Sequence, residues 1–112
     1  MSRKSNKRVM RIYKQYFDLI KNGSKTIEVR VAYPSMRSIT VGTLLAFNDD
    51  PDCTCRVKRV AIYKSFDEMM AAEDPTKIHP TLSADDQLAD IKRIFPPEKE
   101  KLGVIVFELE KI

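Results

Sequence analysis

Residues 23–30, Gly-Ser-Lys-Thr-Ile-Glu-Val-Arg, gather a glycine, two hydroxyls, two cations and one carboxylate in a short run. A glycine permits a tight backbone turn, including positive φ. Thr26, Glu28 and Arg30 share one parity, so on a strand they face one way while Ile27, Val29 and Val31 face the other. Lys25 stands at the loop edge and can curl toward the same mouth. Lys25 and Arg30 can hold an anion, with Glu28 orienting the cations or polarising a bound group. The same alternation also describes an ordinary strand, with Glu28 and Arg30 as a solvated pair contributing roughly 0–1 kcal/mol. If the segment is a site, Lys25→Ala and Glu28→Gln should keep the fold and lose the ligand.

The surrounding pattern supplies the elements that would position this segment. Val9, Met10 and Ile12 open a short strand. Tyr13, Tyr16, Phe17, Leu19 and Ile20 recur at three- and four-residue spacing, which predicts a helix over 14–22 ended by Gly23. Residues 26–33 and 44–47 read as strands, with 34–40 a loop and 48–52 a turn by composition. Residues 54–63 form the longest strand. Its parity changes at Lys58-Arg59, which predicts a β-bulge. Ser65 and Glu68 make a capping box ahead of Phe66, Met69 and Met70. Pro75 and Pro80 mark 73–82 as a loop. Ser83 caps a further helix whose Leu88, Ile91, Ile94 and Phe95 should face inward, stopped by Pro96-Pro97. Residues 102–109 are nearly all apolar and hence central. The order β-α-β-β-β-α-α-β predicts an α+β, barrel-like domain. Its expected core includes Ile27, Val29, Leu45, Phe47, Ile91, Val104, Val106 and Leu109.

The chain has 112 residues, 43% of them apolar, enough for one core. Residues 1–7 read as a flexible basic arm and 8–112 as one domain. No stretch approaches the roughly 18 apolar residues of a membrane span, and no apolar run follows the basic start, so a cytoplasmic protein is expected. Cys53 and Cys55 share a strand face and read as reduced thiols. With His79 the single histidine, no metal-ligand set is visible, and no cofactor is expected. His79 itself reads as a solvated or packing residue. Residues 1–64 carry a net +9 and residues 65–112 a net −5. The cationic first half suits a polyanion and predicts salt-sensitive binding to single-stranded RNA, unless the acidic helices cancel it locally. Tyr33 and Tyr63, at strand ends, are candidates for stacking on bases.

Gly23, Lys25, Glu28 and Arg30 match every fixed position of Gly-x-Lys-x-x-Glu-x-Arg, so the segment resembles the signature of the ASCH family. Residues 16–23 resemble the helix leading to that signature. Val41-Gly42-Thr43-Leu44-Leu45-Ala46-Phe47 resembles the family's turn into its next strand, with Thr43 where many members carry Asp. Residues 60–66, Ile94-Phe95-Pro96 and 100–104 resemble later blocks, so the resemblance covers roughly residues 9 to 109. It implies a PUA-like, mixed and mostly antiparallel β-barrel of about five or six strands with two to three flanking helices. It also implies a cleft that binds RNA or a nucleotide through Gly23, Ser24, Lys25, Thr26 and Arg30. Related domains bind RNA, and the family is associated with RNA processing, translation or transcriptional coactivation. One bacterial branch is similar to amidohydrolases that deacetylate N4-acetylcytidine with a Lys, a Thr and a Glu. Lys25 matches that branch, whereas Glu28 stands where it carries Thr. Three functions stay open. One is an RNA- or nucleotide-binding module. Another is a small hydrolase of a modified nucleoside or of RNA, with Glu28 as general acid/base and Lys25 as electrophilic or nucleophilic group. The third is an adaptor docking a protein partner through its acidic helices.

Overall fold

The computed structural model describes residues 7–112. The expected basic arm falls, apart from Lys7, outside them. Five strands, β1 (Lys7–Met10), β2 (Ile27–Val31), β3 (Leu44–Phe47), β4 (Thr54–Tyr63) and β5 (Val104–Lys111), form one sheet in the order β1-β3-β4-β5-β2. β1 pairs with β3 in parallel, and every other pairing is antiparallel. The apolar β5 is central, as its composition predicts.

The expected barrel is not closed. β1 and β2 are the two edges of the sheet, and no ladder joins them among the described residues. The chain leaves β1 after Met10 for helix α1 (Lys14–Lys21). The Ile12 N–H donates to Asn48 Oδ1 at 2.9 Å instead of to a strand. Across the gap, Arg30 Nη2 donates to Arg11 O at 2.7 Å, so a side chain stands where a ladder would have been. The sheet does bend where parity predicted: the β4–β5 register shifts between Val57 and Arg59.

The remaining helices are α2 (Pro34–Arg37), α3 (Phe66–Ala72), α4 (Pro75–Ile78), α5 (Ala84–Ile94) and α6 (Pro97–Glu100), with a 3₁₀ turn at Pro51–Cys53. There are more than the two or three expected, because α2, α4 and α6 are single turns that each begin at a proline. Proline's missing N–H is no loss at the first helical position, so residues that read as breakers are starters here. Ser65 and Ser83 accept from the Glu68 and Asp86 N–H groups at 3.0 and 3.1 Å, as capping residues should. Among the described residues, no helix is long and apolar enough to cross a membrane.

The sheet buries both faces. Met10, Ile20, Leu45, Phe47, Val57 and Phe107 pack on one, with Cys53 and Cys55 among them. Burial pushes the Cys55 thiol up to about 11, so it stays protonated. On the other face, Ile27, Val31, Val104 and Val106 meet Phe66 and Met69 of α3. Most of the expected core is buried, but Val29 and Ile91 are only half-buried. On α5, Leu88 is half-buried and Ile94 is exposed, Phe95 at its C-cap is half-buried, and the buried residue of the helix is Gln87. The α5 face that should have been sealed is open on one side.

Arg59, at the bulge, joins the basic and acidic halves. It donates to both Glu73 oxygens at 3.0 and 2.6 Å and to Glu108 Oε1 at 2.8 Å. Tyr63 Oη donates to Glu73 as well. The Arg59 hydrogen bonds hold the Glu73 carboxyl below its ordinary 4.5 despite partial burial. A depressed carboxylate adds stability above its unfolded pKa and loses it as pH falls through the folded value. The thermal midpoint should therefore fall on acidification from about pH 4.5 downward. Arg59→Met should lower stability at neutral pH by on the order of 1 kcal/mol and flatten that acid limb, because the guanidinium is partly solvated. Melts from pH 7 to 3 measure both. An unchanged acid limb would assign it to other carboxylates.

Candidate functional site

Gly23, at φ +86°, lets the chain curl back past the end of α1 so that the Lys25 N–H donates to Leu19 O at 3.0 Å. That return carries the Lys25 side chain inward. It is 5% exposed, against the sequence expectation of a loop-edge charge. Its three donors meet Ile27 O at 2.7 Å, Ile78 O at 3.0 Å and Glu28 Oε1 at 3.3 Å. Glu28 is 6% exposed, and its second oxygen accepts from Arg30 Nε at 2.7 Å. Lys25, Glu28 and Arg30 thus form one linked row, with Lys25 tying the strand to the end of α4.

Burial sets the electrostatics. It pulls the Lys25 ammonium below its usual value, and Glu28 only partly restores it. Burial pushes Glu28 up, but Lys25 and Arg30 together outweigh it and hold the carboxyl below the ordinary range. The row is a carboxylate between two cations, with net positive charge. Arg30 commits Nε and Nη2, and among the described residues Nη1 has no hydrogen-bond partner.

This row lies in a cleft of about 440 Å³, within the range of small-molecule sites. The cleft occupies the place where β1 and β2 fail to join. Arg11, Ile12 and Tyr13 follow β1, Tyr16 comes from α1, and Glu28, Val29 and Arg30 come from β2. Its far wall is α5, and His79 follows α4. The Tyr16 ring sits 5.9 Å from Lys25 Nζ and packs edge-on against His79 at 6.3 Å. His79 Nδ1 accepts from the Thr81 and Leu82 N–H groups, both at 3.2 Å, so the neutral ring carries its proton on Nε2. Burial, then Lys25, lower its pKa, with Asp90 opposing.

Of the residues expected to bind, Lys25 and Arg30 line the cleft with Glu28. Gly23, Ser24 and Thr26 are not among its lining residues, and Gly23 and Ser24 are exposed. Thr26 is half-buried, and its backbone joins Lys77 O to the Leu109 N–H. Tyr33 and Tyr63 do not line the cleft. Tyr33 lies under Lys99, and Tyr63 borders a second hollow with Arg37 and Leu102. The cleft's aromatic residues are Tyr13, Tyr16 and Phe95. Tyr13 is 64% exposed, in a pattern that reads from sequence as a helix's apolar stripe. Among the described residues no cluster of three or more His, Cys, Asp or Glu could hold a metal ion.

An open, mostly antiparallel sheet with a charged row buried at its free edge defines a small α+β cleft domain. The ASCH domain matches residues 10–112, and the chain belongs to that family. The crystal structure of hypothetical protein PH0355 is similar at 30% identity and a TM-score of 0.85, covering 95% of this chain and 99% of that one. Protein PF0455 from Pyrococcus furiosus, solved in solution, gives 29% identity and a TM-score of 0.75, with 95% and 97% covered. An ASCH protein from Zymomonas mobilis shares the fold at a TM-score of 0.68 and 12% identity, with 96% of this chain and 68% of that one covered. No curated protein matches the chain.

Proposed function

We propose that the cleft binds one nucleotide unit, free or within single-stranded RNA. The observation that carries this reading is the union, in about 440 Å³, of tyrosine faces with a fixed row of net positive charge. A base needs a flat apolar surface, which Tyr13 and Tyr16 offer, and a phosphate needs a directed cation, which Arg30 Nη1 offers. Lys25 and Glu28 serve by holding Arg30 and the Ile78 carbonyl in place. Family membership adds to the case, since the resemblance implies RNA or nucleotide ligands.

Calorimetric titration with nucleoside 5′-monophosphates and short single-stranded RNA, at two salt concentrations, tests this. Binding should occur and weaken as salt rises. Tyr16→Leu should reduce affinity about tenfold or more through lost stacking. Absence of binding at low salt, or an affinity indifferent to salt and to Tyr16, would overturn the reading.

A hydrolytic use of the same cleft is favoured by one observation. Lys25 and Glu28 are buried together with displaced pKa values, as acid–base groups often are. Glu28 would handle the proton and Lys25 the developing negative charge. Release of a smaller product from a modified cytidine or RNA by the parent, abolished in Glu28→Gln, would identify it.

A further inference from the structure

Arg11, Ile12 and Tyr13 are three consecutive lining residues of the cleft, between β1 and α1. Arg11 and Tyr13 are also exposed, so they stand at its mouth. The backbone of this segment is pinned. Arg11 O accepts from Arg30 Nη2 at 2.7 Å, the Ile12 N–H donates to Asn48 Oδ1 at 2.9 Å, and Tyr13 O accepts from the Tyr16 and Phe17 N–H groups, both at 3.0 Å. The side chains at either end are uncommitted. Among the described residues the Arg11 guanidinium makes no hydrogen bond or ion pair. Tyr13 is 64% exposed, and its side chain makes no capping hydrogen bond to α1. A ligand therefore meets an unused cation and an open ring on a backbone that needs no further ordering.

A second ring and a second guanidinium stand deeper in the same cleft. Tyr16 is half-buried, and the Arg30 side chain is 23% exposed. The Tyr13 and Tyr16 rings lie 6.4 Å apart at an interplanar angle of 50°. One base sandwiched between two rings needs their planes near parallel, and this tilt denies it, so each ring offers a face to its own base. The cleft has room for one nucleotide unit, which leaves the Tyr13 face to a second unit at the mouth. We infer that Arg11 and Tyr13 form an outer subsite for the neighbouring nucleotide of a single strand. The Tyr13 ring stacks on its base, and the Arg11 guanidinium pairs with the linking phosphate. The preferred ligand is then a chain of at least two nucleotides, not a free mononucleotide. This role rests on the nucleotide reading above. A mouth that only admits one nucleotide would confer no such preference.

Two ligands separate these cases. AMP and the dinucleotide pApA are titrated at the same low salt into the parent, Tyr13→Leu and Arg11→Gln. Both side chains are exposed, so both variants should fold, which circular dichroism checks. The parent should bind pApA at least about tenfold more tightly than AMP, the smaller end of what one more stacked base and phosphate contribute. In each variant that ratio should fall toward the factor of about two that two copies of one unit give by statistics alone. A parent ratio of about two or less, or the parent's ratio kept in either folded variant, would overturn the outer subsite and leave the nucleotide reading standing. Failure of AMP, pApA and short RNA alike to bind the parent would overturn the nucleotide reading itself.

Discussion

Lys25→Met should lower the free energy of unfolding by about 3–5 kcal/mol, the range for removing one member of a buried ion pair. The loss leaves Glu28 with Arg30 as its one cationic partner, and leaves the Ile27 and Ile78 carbonyls without the ammonium that now serves both. In a domain of this size each kcal/mol shifts the thermal midpoint by about 4–8 °C. Lys25→Met with Glu28→Met should cost less than the two single changes summed, because no charge is then left stranded. Denaturant unfolding of the three variants measures this. A Lys25→Met midpoint equal to the parent's would mean that Lys25 is solvated in solution. The sequence alone led to the opposite expectation, a variant that folds normally, because it placed Lys25 at a loop edge.

Phe66→Ala should be similarly damaging, at about 3–5 kcal/mol. Phe66 is fully buried at the start of α3 and stacks on Phe95 with ring centroids 5.9 Å apart. Its N–H donates to Glu100 Oε2 at 2.8 Å, so one residue joins α3, the end of α5 and α6. Phe95 lines the cleft, and a cavity behind it would loosen that wall. Ligand affinity should therefore fall in Phe66→Ala even at temperatures where circular dichroism shows it folded. A loss below about 1 kcal/mol would show that the two helices repack around the cavity.

Local pattern made much of the fold legible. The β4 parity change located the bulge, alternation located β2, and Ser65 and Ser83 marked two helix starts. Closure of the sheet was not legible, because it depends on whether two sequence-distant edges meet. Here an arginine side chain occupies that gap. The prolines misled because one residue type both stops one helix and starts the next. In the site, residue types pointed to Lys25, Glu28 and Arg30, but burial could not be read from alternation. Periodicity assigned Tyr13 and Tyr16 to a helix's apolar stripe, although they edge a cavity. Gln87 gave no signal, since a polar residue beside an apolar stripe reads as surface. Its burial comes from the three carbonyls that the α4 turn and following loop bring to it.

Mapping a bound nucleotide onto the protein tests the central claim most directly. ¹⁵N-labelled protein would be titrated with AMP and CMP at low salt while backbone amide shifts are followed by NMR. Saturable shifts are predicted at Tyr16, Lys25, Arg30, His79 and Gln87, with little change at Tyr33, Tyr63 and Leu102. Saturable shifts confined to the Tyr63–Leu102 hollow, or none at the cleft while short RNA still binds, would contradict the account.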